Sequence, residues 1–147
     1  MKSILNGLLL FTLIYLLADV FVSSSTIGFS NLEVYTTLYG NEEEFLDPIT
    51  PSAFLEYLHT QIFFMMMILL TLSAIFLRLS GANSFAILSV NSLMLSALTT
   101  LIFLALVYFM QYDALITPYI FFFVSWHLIA LYMTIISLWR LNFATSI

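Results

Sequence analysis

Four long apolar runs dominate the chain, at about 4–22, 51–78, 84–112 and 118–140, and turn-forming or charged residues gather between them. About 20 apolar residues are what an α-helix needs to cross roughly 30 Å of hydrocarbon. The pattern therefore predicts an all-α integral membrane four-helix bundle occupying residues 1–147 as a single domain. The first run follows Lys2 and ends in Ser23-Ser24-Ser25, an order that a secretory signal also shows. It is read here as the first spanning helix, with Asp19 near its outer end.

The one long connection, 23–50, carries its own helix signals. Ser30 followed by Glu33 has the reciprocal capping pattern that satisfies free amides at a helix start, and Gly40 supplies a stop. Between them Leu32, Tyr35, Leu38 and Tyr39 share a face, which predicts a short interfacial helix in the outer headgroup layer. Thr50-Pro51 and Thr117-Pro118 each predict a capping threonine with proline in the first turn. Ser80-Gly81-Ala82-Asn83 predicts a tight turn between the second and third spans.

Charge then orients the bundle. Lys2, Arg78 and Arg140 fall on one side, while Asp19, Glu33, Glu42, Glu43, Glu44, Asp47, Glu56 and Asp113 fall on the other. Short loops rich in Lys and Arg stay on the side of synthesis, so both termini are expected in the cytoplasm or the mitochondrial matrix. A bacterial inner membrane or an organelle-encoded mitochondrial inner membrane fits. With 63% hydrophobic and 7% charged residues the chain is no water-soluble domain, whose charged share would be about a quarter. A net charge of −5 placed on the outer face excludes nucleic acid there. The acidic tip Glu42, Glu43, Glu44 and Asp47 suits a basic protein surface instead. Without cysteine, disulfide and thiolate chemistry are excluded.

Candidate chemistry centres on the two histidines, both inside spans, where an imidazole needs a partner. His59 and His127 follow Pro51 and Pro118 at depths agreeing to about 1.5 Å, one residue's rise. Aligned at their outer ends, the two helices could hold a haem b iron between the rings. A non-haem metal on His59 and Glu56 is a further option. Against haem, spans two to four contain no glycine to admit a porphyrin plane, and their outer halves contain no Lys or Arg for propionates. The plainer expectation is that each ring bonds across the bundle to a hydroxyl, amide or carbonyl.

Met65-Met66-Met67 cannot converge on one copper ion, because successive helical residues point about 100° apart. Ser89, Ser92, Ser96, Thr99 and Thr100, with Ala130, Thr134 and Ser137, form small-residue stripes suited to close helix packing. Read as a proton or solute path, these stripes need an ionisable group at mid-membrane, and His127 is the one the spacing provides. Tyr57-Leu58-His59-Thr60-Gln61 before an apolar run resembles a stretch in the antiporter-like subunits of respiratory complex I. Those subunits use membrane-embedded lysine and glutamate, and this chain has no lysine after Lys2. In composition it is similar to small hydrophobic subunits of energy-transducing complexes.

With no catalytic signature, the sequence predicts a non-catalytic integral subunit packed against other membrane subunits and lipid. A small haem or metal protein using His59 and His127, and a proton or solute transporter, are the alternatives.

Overall fold

The structure is a computed structural model and describes residues 2–81 and 83–144. Helix α1 runs Lys2–Thr26, α2 Asn31–Tyr39, α3 Pro51–Ser80, α4 Ser84–Met110 and α5 Ile116–Trp139. A 3-10 turn at Asp113–Leu115 leads into α5, and a π-helical turn at Arg140–Ala144 follows it. Four of these helices are long and apolar enough to cross a membrane, as the hydrophobic pattern predicts.

Local chemistry sets most of the helix ends. Ser30 Oγ accepts from the Glu33 amide while the Glu33 carboxylate accepts from the amides of Ser30 and Phe29, completing the capping box of α2. Gly40, at φ 82°, ends that helix in a conformation other residues avoid. Thr50 caps α3 by accepting from the Ala53 amide, with Pro51 in the first turn. Asn83 caps α4 through the Ala86 amide. Ala82, in the turn before it, lies outside the described residues.

The second threonine behaves differently from the expectation. Helix α5 begins two residues before Pro118, at Ile116, with no side-chain cap. Thr117 Oγ1 instead accepts from the Asn31 amide at 3.0 Å, tying α5 to α2. The 3-10 turn has already supplied the helical entry, so the hydroxyl is free for that contact.

Helix α5 is the hub, packing against α1, α2, α3 and most closely α4. Ala97 and Ala130 are fully enclosed, and Ser96, Thr100 and Thr134 donate to the carbonyls of Ser92, Ser96 and Ala130 one turn back. The stripe therefore works as a packing surface, with these three hydroxyls already used. Met65 is buried whereas Met66 and Met67 face out, as consecutive helical positions must.

The interfacial helix exists but turns a different face inward. Val34 and Leu38 are buried with Ile27, while Leu32 and Tyr35 point outward. Helix α2 is thus a cover on one end of the bundle, fixed by Tyr39 Oη donating to the Val107 carbonyl at 2.7 Å. At the opposite end Arg140 reaches the Leu79 carbonyl, and Asn6 and Asn142 exchange amide hydrogen bonds at 3.1 and 3.0 Å. Arg78 lies there too, beside Leu5. One end is basic, the other acidic.

Candidate functional site

Two apolar clusters fill the bundle. Toward the basic end lie Leu9, Leu16, Leu72, Leu93, Trp126 and Met133; toward the acidic end lie Ile27, Val34, Phe54, Leu104, Ile116 and Phe123. Asp19, Ser23, Gln61 and His127 are buried polar residues from three helices, and they meet one another inside this core.

His127 Nε2 stands 3.2 Å from Asp19 Oδ2, and the two residues are 4% and 5% exposed. The approach is an ion pair by distance, off the line of an ideal hydrogen bond. Gln61 Nε2 donates to Asp19 Oδ1 at 2.7 Å and reaches Ser23 Oγ at 3.4 Å. Ser23 Oγ and Tyr57 Oη are 2.9 Å apart, and Tyr119 and Gln61 lie within electrostatic reach of the same Tyr57 hydroxyl. Tyr15 approaches Asp19 from one turn back along α1.

Asp19, expected near the outer end of the first span, lies deeper in the structure. Helix α1 continues to Thr26, so Asp19 sits about 10 Å inside its end. Gln61 lies about 15 Å from the start of α3, and His127 about halfway along α5. Mid-bundle thus holds a carboxyl beside the imidazole, the ionisable partner that sequence spacing did not provide.

Hydrogen-bond geometry fixes the hydrogen on His127 Nδ1. His127 Nδ1 is 2.9 Å from the Phe123 carbonyl, which can only accept, so Nδ1 carries a hydrogen. Nε2 and Oδ2 then face each other as the two atoms between which one proton can be held. The Trp126 ring at 3.8 Å and the Phe123 ring at 4.3 Å hold the imidazole in place.

His59 takes no part: it is exposed on α3, on the outside of the bundle. The fold does not oppose the two imidazoles as a bis-histidine haem requires, because one ring points out and the other in. Glu56 is likewise exposed. Among the described residues no three His, Asp or Glu gather as a metal shell. Gln61, Ser23, Tyr57 and Tyr119 were missed as site residues. The available signal was polar residues at positions 57 and 61 of one helix and 19 and 23 of another, one turn apart on each.

The acidic tip is where the sequence puts it. Residues 41–46 form a turn closed by paired backbone hydrogen bonds of 2.9 Å between Asn41 and Leu46, with Glu42, Glu43, Glu44 and Asp47 exposed. Nearby, the amides of Phe29 and Ser30 hold the Glu33 carboxyl below its ordinary range. Partial burial, with the Asp113 charge, raises Tyr39.

Apolar spanning helices around an enclosed acid–imidazole pair define an integral membrane helical bundle. The chain belongs to the Aq_1264_TM transmembrane helical domain family, whose model matches residues 28–146. That stretch carries Tyr57, Gln61, Tyr119 and His127, while α1, with Asp19 and Ser23, precedes it. No curated protein and no solved structure matches the chain.

Proposed function

We propose that this chain is a membrane proton-transfer protein whose proton-binding centre is the Asp19–His127 pair. The observation that carries the reading is the 3.2 Å approach of these two groups within a bundle that hides both from solvent. Ionisable side chains are costly at membrane depth, and where they persist they commonly mark ion or proton pathways. Helix association alone would be served by neutral contacts, and the bundle has those in Ser23–Tyr57 and Asn6–Asn142. An acid facing an imidazole adds a pair of atoms between which a proton can be exchanged.

The Lys and Arg pattern supports the basic end facing the cytoplasm or matrix of a bacterial or mitochondrial inner membrane. Reconstituted into liposomes with an internal pH-sensitive dye, the chain is expected to dissipate an imposed pH gradient. Asp19→Asn and His127→Gln are expected to abolish that flux. Undiminished flux through Asp19→Asn overturns the reading.

A second reading, a non-catalytic subunit of a larger membrane assembly, is favoured by the acidic turn. Phe45 is 94% exposed at φ 54°, a conformation a bulky residue rarely adopts, between Glu44 and Asp47. An aromatic ring presented among carboxylates fits an apolar recess with a basic rim. Mild detergent extraction is expected to recover the chain in fixed stoichiometry with its partners, and Phe45→Ser to weaken that association. Recovery as a stable partner-free bundle counts against it.

A further inference from the structure

We infer that the Asp19–His127 pair exchanges its proton with the acidic end of the bundle, through a buried water held at Gln61 and the hydroxyls of Ser23, Tyr57 and Tyr119. The inference rests on the proton-transfer reading and adds a direction and a route.

The two halves of the core differ. Toward the acidic end, contacts of 2.7 to 3.4 Å run from Asp19 through Gln61 and Ser23 to the Tyr57 hydroxyl, with Tyr119 beside it. Toward the basic end the next buried polar residue on α1 is Thr12, about 10 Å from Asp19, and it donates to its own helix at the Leu8 carbonyl. Between lie Leu16, Ala130 and Met133, all enclosed and apolar. Thr134 is likewise committed to the Ala130 carbonyl, and although Ser73 and Ser137 are also buried there without hydrogen-bond partners, no hydrogen bond joins either to the pair.

Gln61 Oε1 and Tyr119 Oη are buried without a hydrogen-bond partner, although their neighbours are polar. Such groups in native cores are commonly satisfied by an ordered water, which needs two to four polar partners. Asp19, Ser23 and these two atoms supply them. An amide does not readily pass a proton, so Gln61 is a positioning residue that holds Asp19 and Ser23 one helical turn apart.

The transfer balances. The proton leaves the Nε2–Oδ2 pair for the water oxygen, the water gives one of its own to Ser23 Oγ, and Ser23 passes its original hydroxyl proton to Tyr57 Oη. Tyr57 gives its own proton to bulk water admitted at the acidic end, so each carrier ends as it began and one proton has moved from the pair to that water. The ionisable groups facing the pair are Tyr15 from α1, Tyr57 from α3 and Tyr119 from α5; α4 presents the neutral Ser96 and Thr100 to the core. The layer of Ile27, Val34 and Leu38 closes the route at the acidic end, so α2 acts as its cover.

The test uses the full chain in lipid nanodiscs, labelled with 15N-histidine. Only two imidazoles contribute, and His127→Gln assigns them. Ser23→Ala and Tyr57→Phe are expected to slow proton exchange at His127 by about tenfold or more, with unchanged His127 ring shifts reporting an intact site. Thr134→Val and Ser137→Ala, in the basic half, are expected to leave the rate alone. Normal exchange in Ser23→Ala and Tyr57→Phe, or slowing by the basic-half variants instead, overturns the route while leaving the proton-transfer reading standing. A pH-invariant His127 together with zero liposome flux in the parent chain overturns both.

Discussion

Replacing Asp19 by alanine should loosen α1 from the bundle far more than replacing it by asparagine. Asp19 makes two contacts to other helices, one to His127 on α5 and one to Gln61 on α3. Alanine removes both, leaving His127 Nε2 buried without a partner and Gln61 Nε2 with only the 3.4 Å contact to Ser23 Oγ. Interhelical polar contacts in membranes contribute about 0.6–2 kcal/mol each, so the loss is about 1–4 kcal/mol. Asparagine keeps the geometry: its Oδ1 still accepts from Gln61. Its amide can donate to Nε2, which is a free acceptor in the neutral ring because Nδ1 holds the hydrogen facing the Phe123 carbonyl. That variant should lose under about 1 kcal/mol.

Unfolding in mixed micelles, followed by tryptophan fluorescence, measures the difference, since Trp126 lies 3.8 Å from the His127 ring and reports on this layer. A gap of about 1.4 kcal/mol between the variants is a tenfold change in the unfolding constant. Equal stabilities for Asp19→Ala and Asp19→Asn would refute the pairing. Stability and flux together also separate two roles, because Asp19→Asn should remain folded yet stop conducting.

Other consequences follow from the helix ends and the bundle's orientation. Because Glu33 has a lowered folded-state pKa, its contribution is present above its ordinary value of 4.5 and is lost as pH falls through the lowered folded value. Amide exchange over 31–39 should therefore rise in acid, while Glu33→Gln, which keeps an acceptor, should remove that pH dependence. Thr50→Ala should cost about 1 kcal/mol through loss of the α3 cap. Thr117→Ala should instead leave the start of α5 intact and loosen α2, read by exchange at residues 31–34. With no native cysteine, Glu43→Cys and Arg140→Cys should label from opposite faces of the membrane, and labelling from one face would refute the charge-based topology.

The spans were legible because apolar length alone specifies them, and the caps of α2 and α3 because Ser30, Glu33, Gly40, Thr50 and Pro51 act within a turn of their own positions. Two local readings failed where tertiary contacts competed. Thr117 resembles Thr50 in sequence, but the 3-10 turn at Asp113–Leu115 had already started the helix, and Asn31 claimed the hydroxyl. On α2 the tyrosines and leucines suggested a membrane-facing stripe, yet Val34 and Leu38 make the buried face because α2 lies across the end of the bundle.

The site was the least legible part, for a reason that concerns Asp19 in particular. A lone carboxylate late in an apolar run reads as the wet end of a span, and three serines after it strengthen that reading. In the structure those serines are helical, and Ser23 turns inward to meet Tyr57. What decides between the readings is the complement on other helices: Gln61 and Tyr57 lie one turn apart on α3, matching Asp19 and Ser23 one turn apart on α1. A carboxyl with an amide and an imidazole opposite it can be enclosed, whereas one without them must stay at the surface. Depth in this bundle is therefore set by which side chains meet across helices, and α1 is fixed in register where Asp19 and Ser23 meet Gln61, Tyr57 and His127.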